Sequence, residues 1–416
     1  MRKLLFLTPE LPYPPQSGGK LKSMKLLEAL SENFDVTLAS PLKLEDTTHR
    51  GAFAARSPCR EHVHRELHIP RSGINLARSY LARKPLNVYR SFQRELAHDV
   101  TALASEHDVI FIDHYEAAAY LPEEFSGTVI YHAHNAYHQI WRRYAQLPGN
   151  PLQRLAALVE SYRVRSAELR IAQRADLVLA APNDAELLIA AGVDANRIAH
   201  TYHLGDDAQL ELPDLTFHGC DMRLLFVGLL AWEANVQGLL WFLKEVWPKL
   251  RQAEPDLAFD IVGKNPDPRL LELTSSLTGV RLLGFVEDLD TVYRTARVSV
   301  APLLFGSGMK VKVLDAMARG LPIVTTPVGA EGLDYRNHEH LAVAETADGM
   351  ASAILHLLHD EQRWDLQQRA SRRLIRKRYT WRRLFDAMHT AIDSAISKKR
   401  NRADLEIAAA VVMRHA

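Results

Sequence analysis

The feature that most constrains the fold of this chain is a repeated alternation of short apolar runs with longer segments of helical period. In the first half the runs are Leu4–Leu7, Val36–Ala39, Val109–Ile112, Val129–Tyr131 and Leu177–Ala180. In the second half they are Leu224–Val227, Phe259–Val262, Val280–Leu283, Val298–Ala301, Ile323–Thr325 and Leu341–Val343. Most are rich in Val, Ile and Leu and lack polar alternation, the pattern of parallel strands covered on both faces. The segments between them are long enough for crossover helices. The pattern predicts an α/β protein with two doubly wound sheets. Sustained periodicity fails across Tyr202–Arg223, which sets a boundary: a first domain over 1–205 and a second over 206–380. A terminal helix over 381–397 and a basic tail over 398–416 follow.

Composition supplies the exclusions. With 416 residues, 47% of them apolar, the chain can fill two sizeable cores and is neither disordered nor fibrous. Lys plus Arg (51) nearly equals Asp plus Glu (50), so no global charge argues for nucleic acid, and no recognition module accompanies the basic residues. Cys59 and Cys220 lie far apart and form no metal spacing, which favours a reduced, cytoplasmic setting. The apolar start Leu4–Leu7 stops at Thr8-Pro9-Glu10, too soon for a signal peptide, and no run reaches the roughly 18 apolar residues of a membrane span. The expected location is cytoplasmic, at most peripheral at the inner face of a membrane.

Three constellations could carry chemistry. Directly after the first strand, the loop Pro9–Gly19 ends in Gly18-Gly19 before a helix; glycine lets backbone N–H groups approach an anion, and the helix dipole assists. At the end of the Val129 strand stand His132-Ala133-His134-Asn135, where open α/β sheets bind ligands. An imidazole there can hydrogen-bond a sugar hydroxyl or a phosphate oxygen; a metal would need further ligands, and none has recognisable spacing. The third follows Val298–Ala301: Phe305-Gly306-Ser307-Gly308-Met309-Lys310-Val311-Lys312, then a helix carrying Asp315, a Gly320-Leu321-Pro322 stop and a strand. Gly306 and Gly308 present backbone donors at a helix start, Lys310 and Lys312 add charge for a diphosphate, and Asp315 could accept from a ribose diol.

This last run, continuing Leu314-Asp315-Ala316-Met317-Ala318-Arg319-Gly320-Leu321-Pro322, resembles the nucleotide-sugar site of GT-B glycosyltransferases of the retaining, family-4-type group, also called glycosyl transferases group 1. Phe226-Val227-Gly228, Asn235 with Trp241-Phe242, Asp260-Ile261-Val262-Gly263-Lys264, Leu283-Gly284-Phe285-Val286 and Tyr379-Thr380-Trp381 follow the same family's order. The resemblance implies two Rossmann-like domains facing across a cleft, with the terminal helix crossing back to the first. It implies a nucleoside-diphosphate sugar held by the second domain and a glycan or lipid-linked acceptor by the first, with no metal and no cofactor. It places Gly228, Lys264, Val286, Gly306, Gly308, Met309 and Asp315 around the nucleotide, with Gly18 and Gly19 at the diphosphate. His134, Ser307, Lys310 and Lys312 are the residues it puts at the reacting sugar and its leaving group. A nucleotide-sugar epimerase and a non-catalytic sugar-nucleotide-binding protein of the same fold are the alternatives.

Departures from the family pattern sharpen the expectation. Ser307 stands where the first glutamate of its E-x7-E element falls, and Asp315 where the second does. The family's basic pair maps onto Leu229 and Ala234, so both positive charges are absent and Lys310 and Lys312 are expected to replace them. Separately, residues 50–94 and 142–174 are rich in Arg against few carboxylates while the whole chain is nearly neutral. That asymmetry could seat the first domain on anionic lipid headgroups; solvated helix faces are the plainer reading.

Overall fold

The computed structural model describes residues 1–415 except Gln16, Arg71, Pro148, Gly149, His203 and Ser307, and excludes the side chains at 403 and 406–415. The chain divides into two compact units, one of Met1–Thr201 with Leu384–Ala416, the other Tyr202–Arg383.

The first unit is built on seven parallel strands: β1 (Arg2–Leu7), β2 (Phe34–Lys43), β3 (Glu61–Leu67), β4 (Val109–Asp113), β5 (Thr128–His132), β6 (Leu177–Ala180) and β7 (Ile198–His200), in the order β3-β2-β1-β4-β5-β6-β7. Alternate residues of β1 serve opposite faces, as the pleat requires. Leu4 and Phe6 pack with Leu27 and Leu30 of the helix Gly18–Ser31, and Leu5 and Leu7 pack with Val164 and Ile171 of the helix Pro151–Arg174. Two strands escape the apolar-run pattern. β3 alternates polar residues and pairs only with β2, and β7 has three residues and pairs only with β6. Each has one covered flank, so neither needs a continuous apolar run.

The long helix Trp381–His415 supplies Met388, Ile392 and Ala395 to the core beside β1. Burial of Met388 and Ile392 contributes about 1.5–3 kcal/mol each. The helix continues past residue 397, where the sequence pattern ends it: residues 398–415 hold no Gly or Pro to stop it, so the expected basic tail is helical.

The second unit carries six parallel strands: β8 (Arg223–Val227), β9 (Ala258–Val262), β10 (Val280–Gly284), β11 (Val298–Ala301), β12 (Ile323–Thr325) and β13 (Ala342–Val343), in the order β10-β9-β8-β11-β12-β13. Its helix Val311–Arg319 ends where Gly320 turns left-handed at φ 79°; a side chain there would also meet Arg372. In both sheets the strand order reverses beside the first strand of the unit, between β1 and β4 and between β8 and β11. At such a switch point the loops leave in opposite directions and open a crevice at the carboxyl ends of the strands. The two sequence-predicted glycine loops leave β1 and β11 at these points.

Candidate active site

In the first unit the crevice is organised by Asp113, the last residue of β4, which lies in register with His132 on β5. Its Oδ1 meets His132 Nδ1 at 2.7 Å and His134 Nε2 at 2.5 Å, and its Oδ2 accepts from the Ser23 hydroxyl at 2.5 Å. Burial would raise the Asp113 pKa, but His114, His132 and Ser23 outweigh it and hold the group below its usual value. An ionised carboxylate only accepts, so both imidazoles donate to it: His132 from Nδ1 and His134 from Nε2. Burial keeps both rings neutral, pushing their pKa values well below normal, with Lys22 adding to the effect. Lys22 itself is buried, donates to Thr201 Oγ1 at 3.2 Å, and is pushed by burial down to about 7 against the pull of Asp113 and Asp184.

His134 is 1% exposed, so its ring works from inside the cluster. It stacks at 3.5 Å on His114, the most exposed of the three histidines. His114 has φ 67°, a backbone state that costs a non-glycine residue roughly 1–3 kcal/mol and tends to persist at functional sites. Asp113, His132 and His134 bring three potential metal-ligand atoms within 4.8 Å, and in the structure each imidazole bonds the Asp113 carboxylate. Sequence reasoning singled out His132 and His134 and missed Asp113, His114, Ser23 and Lys22. The signal was available: an Asp closing an otherwise apolar strand.

The Gly18-Gly19 loop is tied at both ends. Glu10 accepts from Lys43 at 2.6 Å, and Ser17 caps the helix by accepting from Lys20 N at 3.3 Å. A side chain at Gly19 would meet nothing within 4 Å, so the space beside this helix start is open.

In the second unit the crevice is organised by a cation. The Lys312 side chain runs beneath Gly228, where an added Cβ would come within 3.1 Å of Lys312 Cε and of Asn235 Nδ2. Lys312 Nζ donates to Asn235 Oδ1 at 2.5 Å, and Asn235 Nδ2 donates to Leu229 O at 2.7 Å. The ammonium thus lies beside the turn at which the family pattern places a basic residue and this chain has Leu229. Burial, helped by nearby Lys310, pushes Lys312 down to about 7. Lys310 donates to Gly308 O and lies 3.6 Å from Glu331. Gly306 (φ 149°) and Gly308 (φ 69°) take backbone states that favour glycine, and Met309 is buried beside them. Ser307 lies outside the described residues.

Asp315, one turn along the same helix, has a partner of its own. Its Oδ1 accepts from Asp206 N at 2.8 Å, and a Cβ at Gly205 would lie 1.9 Å from that oxygen, so only glycine fits there. Burial pushes Asp315 up to about 7. At the ends of β9 and β10, Leu230 N donates to Lys264 O at 3.0 Å, a Cβ on Gly263 would lie 1.8 Å from Gly228 O, and Lys264 Nζ sits 3.9 Å from the Phe285 ring centroid. Val286 is half-buried next to Phe285, whose ring is mostly exposed. The structure therefore groups Gly228 with Lys312, Lys310 with the 306–308 loop, and Asp315 with residues 205–206. Asn235, the group that holds Lys312, was visible in sequence only as a family match.

Residues 221–360 match the family Glycosyl transferases group 1. The chain is 24% identical over 355 residues, 83% of its length and 88% of the relative's, to an uncharacterized 44.6 kDa protein in the cps region of Klebsiella pneumoniae. Over 140 residues, 32% of this chain and 36% of the relative, it is 35% identical to a phosphatidyl-myo-inositol mannosyltransferase of Mycolicibacterium smegmatis. Among solved structures it resembles Anabaena Alr3699/HepE in complex with UDP-glucose, with a TM-score of 0.66 at 15% identity, covering 95% of this chain and all of that one. Sucrose-phosphate synthase from Thermosynechococcus elongatus gives 0.67 at 16% identity, covering 96% and all of that chain. The fold is GT-B.

Proposed function

We infer that this chain, a GT-B protein with a group 1 glycosyltransferase domain over residues 221–360, moves a sugar from a nucleoside-diphosphate sugar to an acceptor hydroxyl in polysaccharide or glycoconjugate assembly. The observation that carries this reading is the Lys312 ammonium, held by Asn235 under a glycine at the β8–β11 switch point and inside the matched domain. Departure of a nucleoside diphosphate builds negative charge on the leaving oxygen. A preorganised cation and backbone donors aimed there supply the largest single share of rate enhancement in reactions of this kind. Lys312, with Lys310 at the mouth of the 306–308 loop, takes the place of the basic pair missing at Leu229 and Ala234.

The other roles are proposed from the chemistry of the residues and from the family resemblance. Asp315 uses one oxygen on Asp206 N, and a carboxylate keeps further acceptor sites, which suit a ribose diol. The backbone around Gly263-Lys264 and Phe285-Val286 reads the base. The role of Ser307 at the donor sugar rests on the family resemblance of its sequence position alone. In the first unit, His134 is a positioning residue. Asp113 fixes its tautomer, and its stacked ring holds His114, which orients the transferred sugar and acceptor for reaction with retention. The relationship to a cps-region protein and to a mannosyltransferase named for phosphatidyl-myo-inositol favours glycan or lipid-linked acceptors. No helix among the described residues is long and apolar enough to cross a membrane, so the working place proposed is the cytoplasm, with peripheral contact at the inner face.

The test is a turnover screen of uridine, guanosine and adenosine diphosphate sugars with a membrane extract as acceptor source, reading release of nucleoside diphosphate. One donor should turn over, and Lys312→Ala should abolish most of the release. Tight nucleotide-sugar binding with no release from any donor or extract would favour a non-catalytic binding protein instead.

A further inference from the structure

The helix Pro151–Arg174 buries one face through Ala157, Val164 and Ile171, as an amphipathic helix should. Its opposite face is also apolar over the first three turns. Leu152, Leu155, Leu158, Val159 and Tyr162 recur at three- and four-residue steps, so they form one stripe along the helix. They are exposed: Leu152 at 76%, Leu155 at 59% and Tyr162 at 75%. A neighbouring segment extends the patch. Arg163 lies 4.0 Å over the Tyr80 ring and donates to the carbonyls of Ser79 and Lys84, tying the end of the helix Gly73–Leu81 to this one, with Leu81 86% exposed. Contiguous apolar surface of this kind on a folded chain marks an interaction site.

The charge around the stripe identifies the partner. Arg154 and Arg165 flank it, and Arg83 and Arg142 stand exposed on the adjoining segments. Among the described residues, none of these four arginines is paired with a carboxylate. Residues 67–94 contain no Asp or Glu, and residues 137–174 contain only Glu160 and Glu168. Both are buried and engaged: Glu160 accepts from Leu86 N and Arg163, Glu168 from Tyr137 N and His138. An exposed apolar stripe rimmed by arginine, with every local carboxylate turned inward, is complementary to acyl chains beneath anionic headgroups. A second protein would ordinarily offer some cation, and residues 67–94 and 137–174 expose no carboxylate to receive it.

We propose that this face of the first unit, centred on Leu152, Leu155 and Tyr162, seats the protein on the surface of an anionic lipid bilayer. The helix spans roughly 36 Å, and its exposed face turns polar after Tyr162, at Ser166 and Arg170, so only its amino-terminal half enters the interface. The seat is joined to the histidine cluster. Tyr137 donates its N–H to Glu168 of this helix, and its hydroxyl lies 3.4 Å from His114 Nδ1. A lipid-linked acceptor would therefore be met by the unit that touches the lipid. Membrane binding itself does not depend on the transferase reading.

The experiment is co-sedimentation of the full chain with vesicles of phosphatidylcholine alone or with about 30 mol% phosphatidylglycerol, at low and high salt. Binding should require the anionic lipid and weaken with salt. The triple variant Leu152→Glu, Leu155→Glu, Tyr162→Glu should lose at least roughly tenfold in partitioning, with its thermal transition and turnover on a soluble acceptor unchanged. Arg142→Glu with Arg165→Glu should lose the phosphatidylglycerol dependence. Tyr162→Trp should shift its emission to the blue on adding anionic vesicles. Equal binding of the triple variant and the wild type would overturn the proposal. So would sedimentation equilibrium showing a wild-type dimer that the triple variant splits, because a second copy would then cover the face. Loss of turnover without loss of vesicle binding would count against the catalytic reading alone.

Discussion

The two units share one strand order around their switch points and fill those points with opposite chemistry. Beside β1 and β4 stands a buried carboxylate, Asp113, saturated by two imidazoles and a serine hydroxyl. Beside β8 and β11 stands a half-buried ammonium, Lys312, held by the Asn235 amide near the Phe226 ring, with glycine backbone beside it. The architecture supplies only a crevice; the sign of the buried charge decides what it can receive. A carboxylate already bonded to three donors is an organiser of other side chains. An ammonium held by a neutral amide has a charge to offer an anion. On the proposed reading, the ammonium serves the leaving diphosphate and the histidine cluster serves the hydroxyls.

Breaking the comparison at the cation should cost most. Lys312→Ala with Lys310→Ala should lower kcat/KM by about 10²–10³, the range for removing charge stabilisation at a leaving group. Wild-type kinetics in the double variant would remove both residues from the site. At the carboxylate, Asp113→Asn and His134→Ala should each reduce kcat by up to about 10², an effect of loosened positioning, while leaving nucleoside-diphosphate affinity unchanged. Comparable losses of nucleotide affinity in these variants would erase the division of labour between the units.

The third test uses pH. Lys312 titrates near 7 because burial disfavours its charged form, and a bound diphosphate favours that form. Binding near neutral pH should therefore take up protons, seen by calorimetry in buffers of different ionisation enthalpy. Affinity should weaken above pH 7 by up to about tenfold per unit. A Lys312→Met variant with the same pH dependence would assign the titration elsewhere.

The smallest effect concerns Asp315, whose pKa is raised to about 7 by burial. A raised folded-state pKa means the folded protein binds more protons than the unfolded chain between the ordinary carboxyl value and about 7. Its contribution to stability is therefore full below that window and lost as pH rises through 7. Asp315→Asn, which can still accept from Asp206 N, should melt progressively higher relative to wild type from pH 4 to pH 8. A constant difference in Tm would contradict this.

Buried parallel strands announce themselves as apolar runs, and the strands of both sheets were legible for that reason, except the polar edge strand β3 and the short β7. Glycine loops at β1 and β11 were legible because backbone access to an anion needs residues without side chains. The partners of the site residues were not. Asp113 lies 19 residues before His132, and Asn235 lies 77 before Lys312; only the strand order brings them together. Asp315 looked available for a ligand in sequence, and its bond to Asp206 N depends on a close approach at Gly205 that no local pattern reveals. The arginine-rich stretches were visible as charge, whereas the inward turn of Glu160 and Glu168 and the exposed stripe between the arginines needed coordinates.

The most direct measurement of the central claim is titration calorimetry of the full chain with a nucleoside diphosphate and with the matching free nucleoside, comparing wild type, Lys312→Met and Asn235→Leu. The diphosphate should bind wild type far more tightly than the nucleoside does, and both variants should lose at least roughly tenfold in diphosphate affinity, about 1.4 kcal/mol, with nucleoside affinity unchanged. Diphosphate affinity that is the same in all three proteins would show that the cation beneath Gly228 does not receive the leaving group.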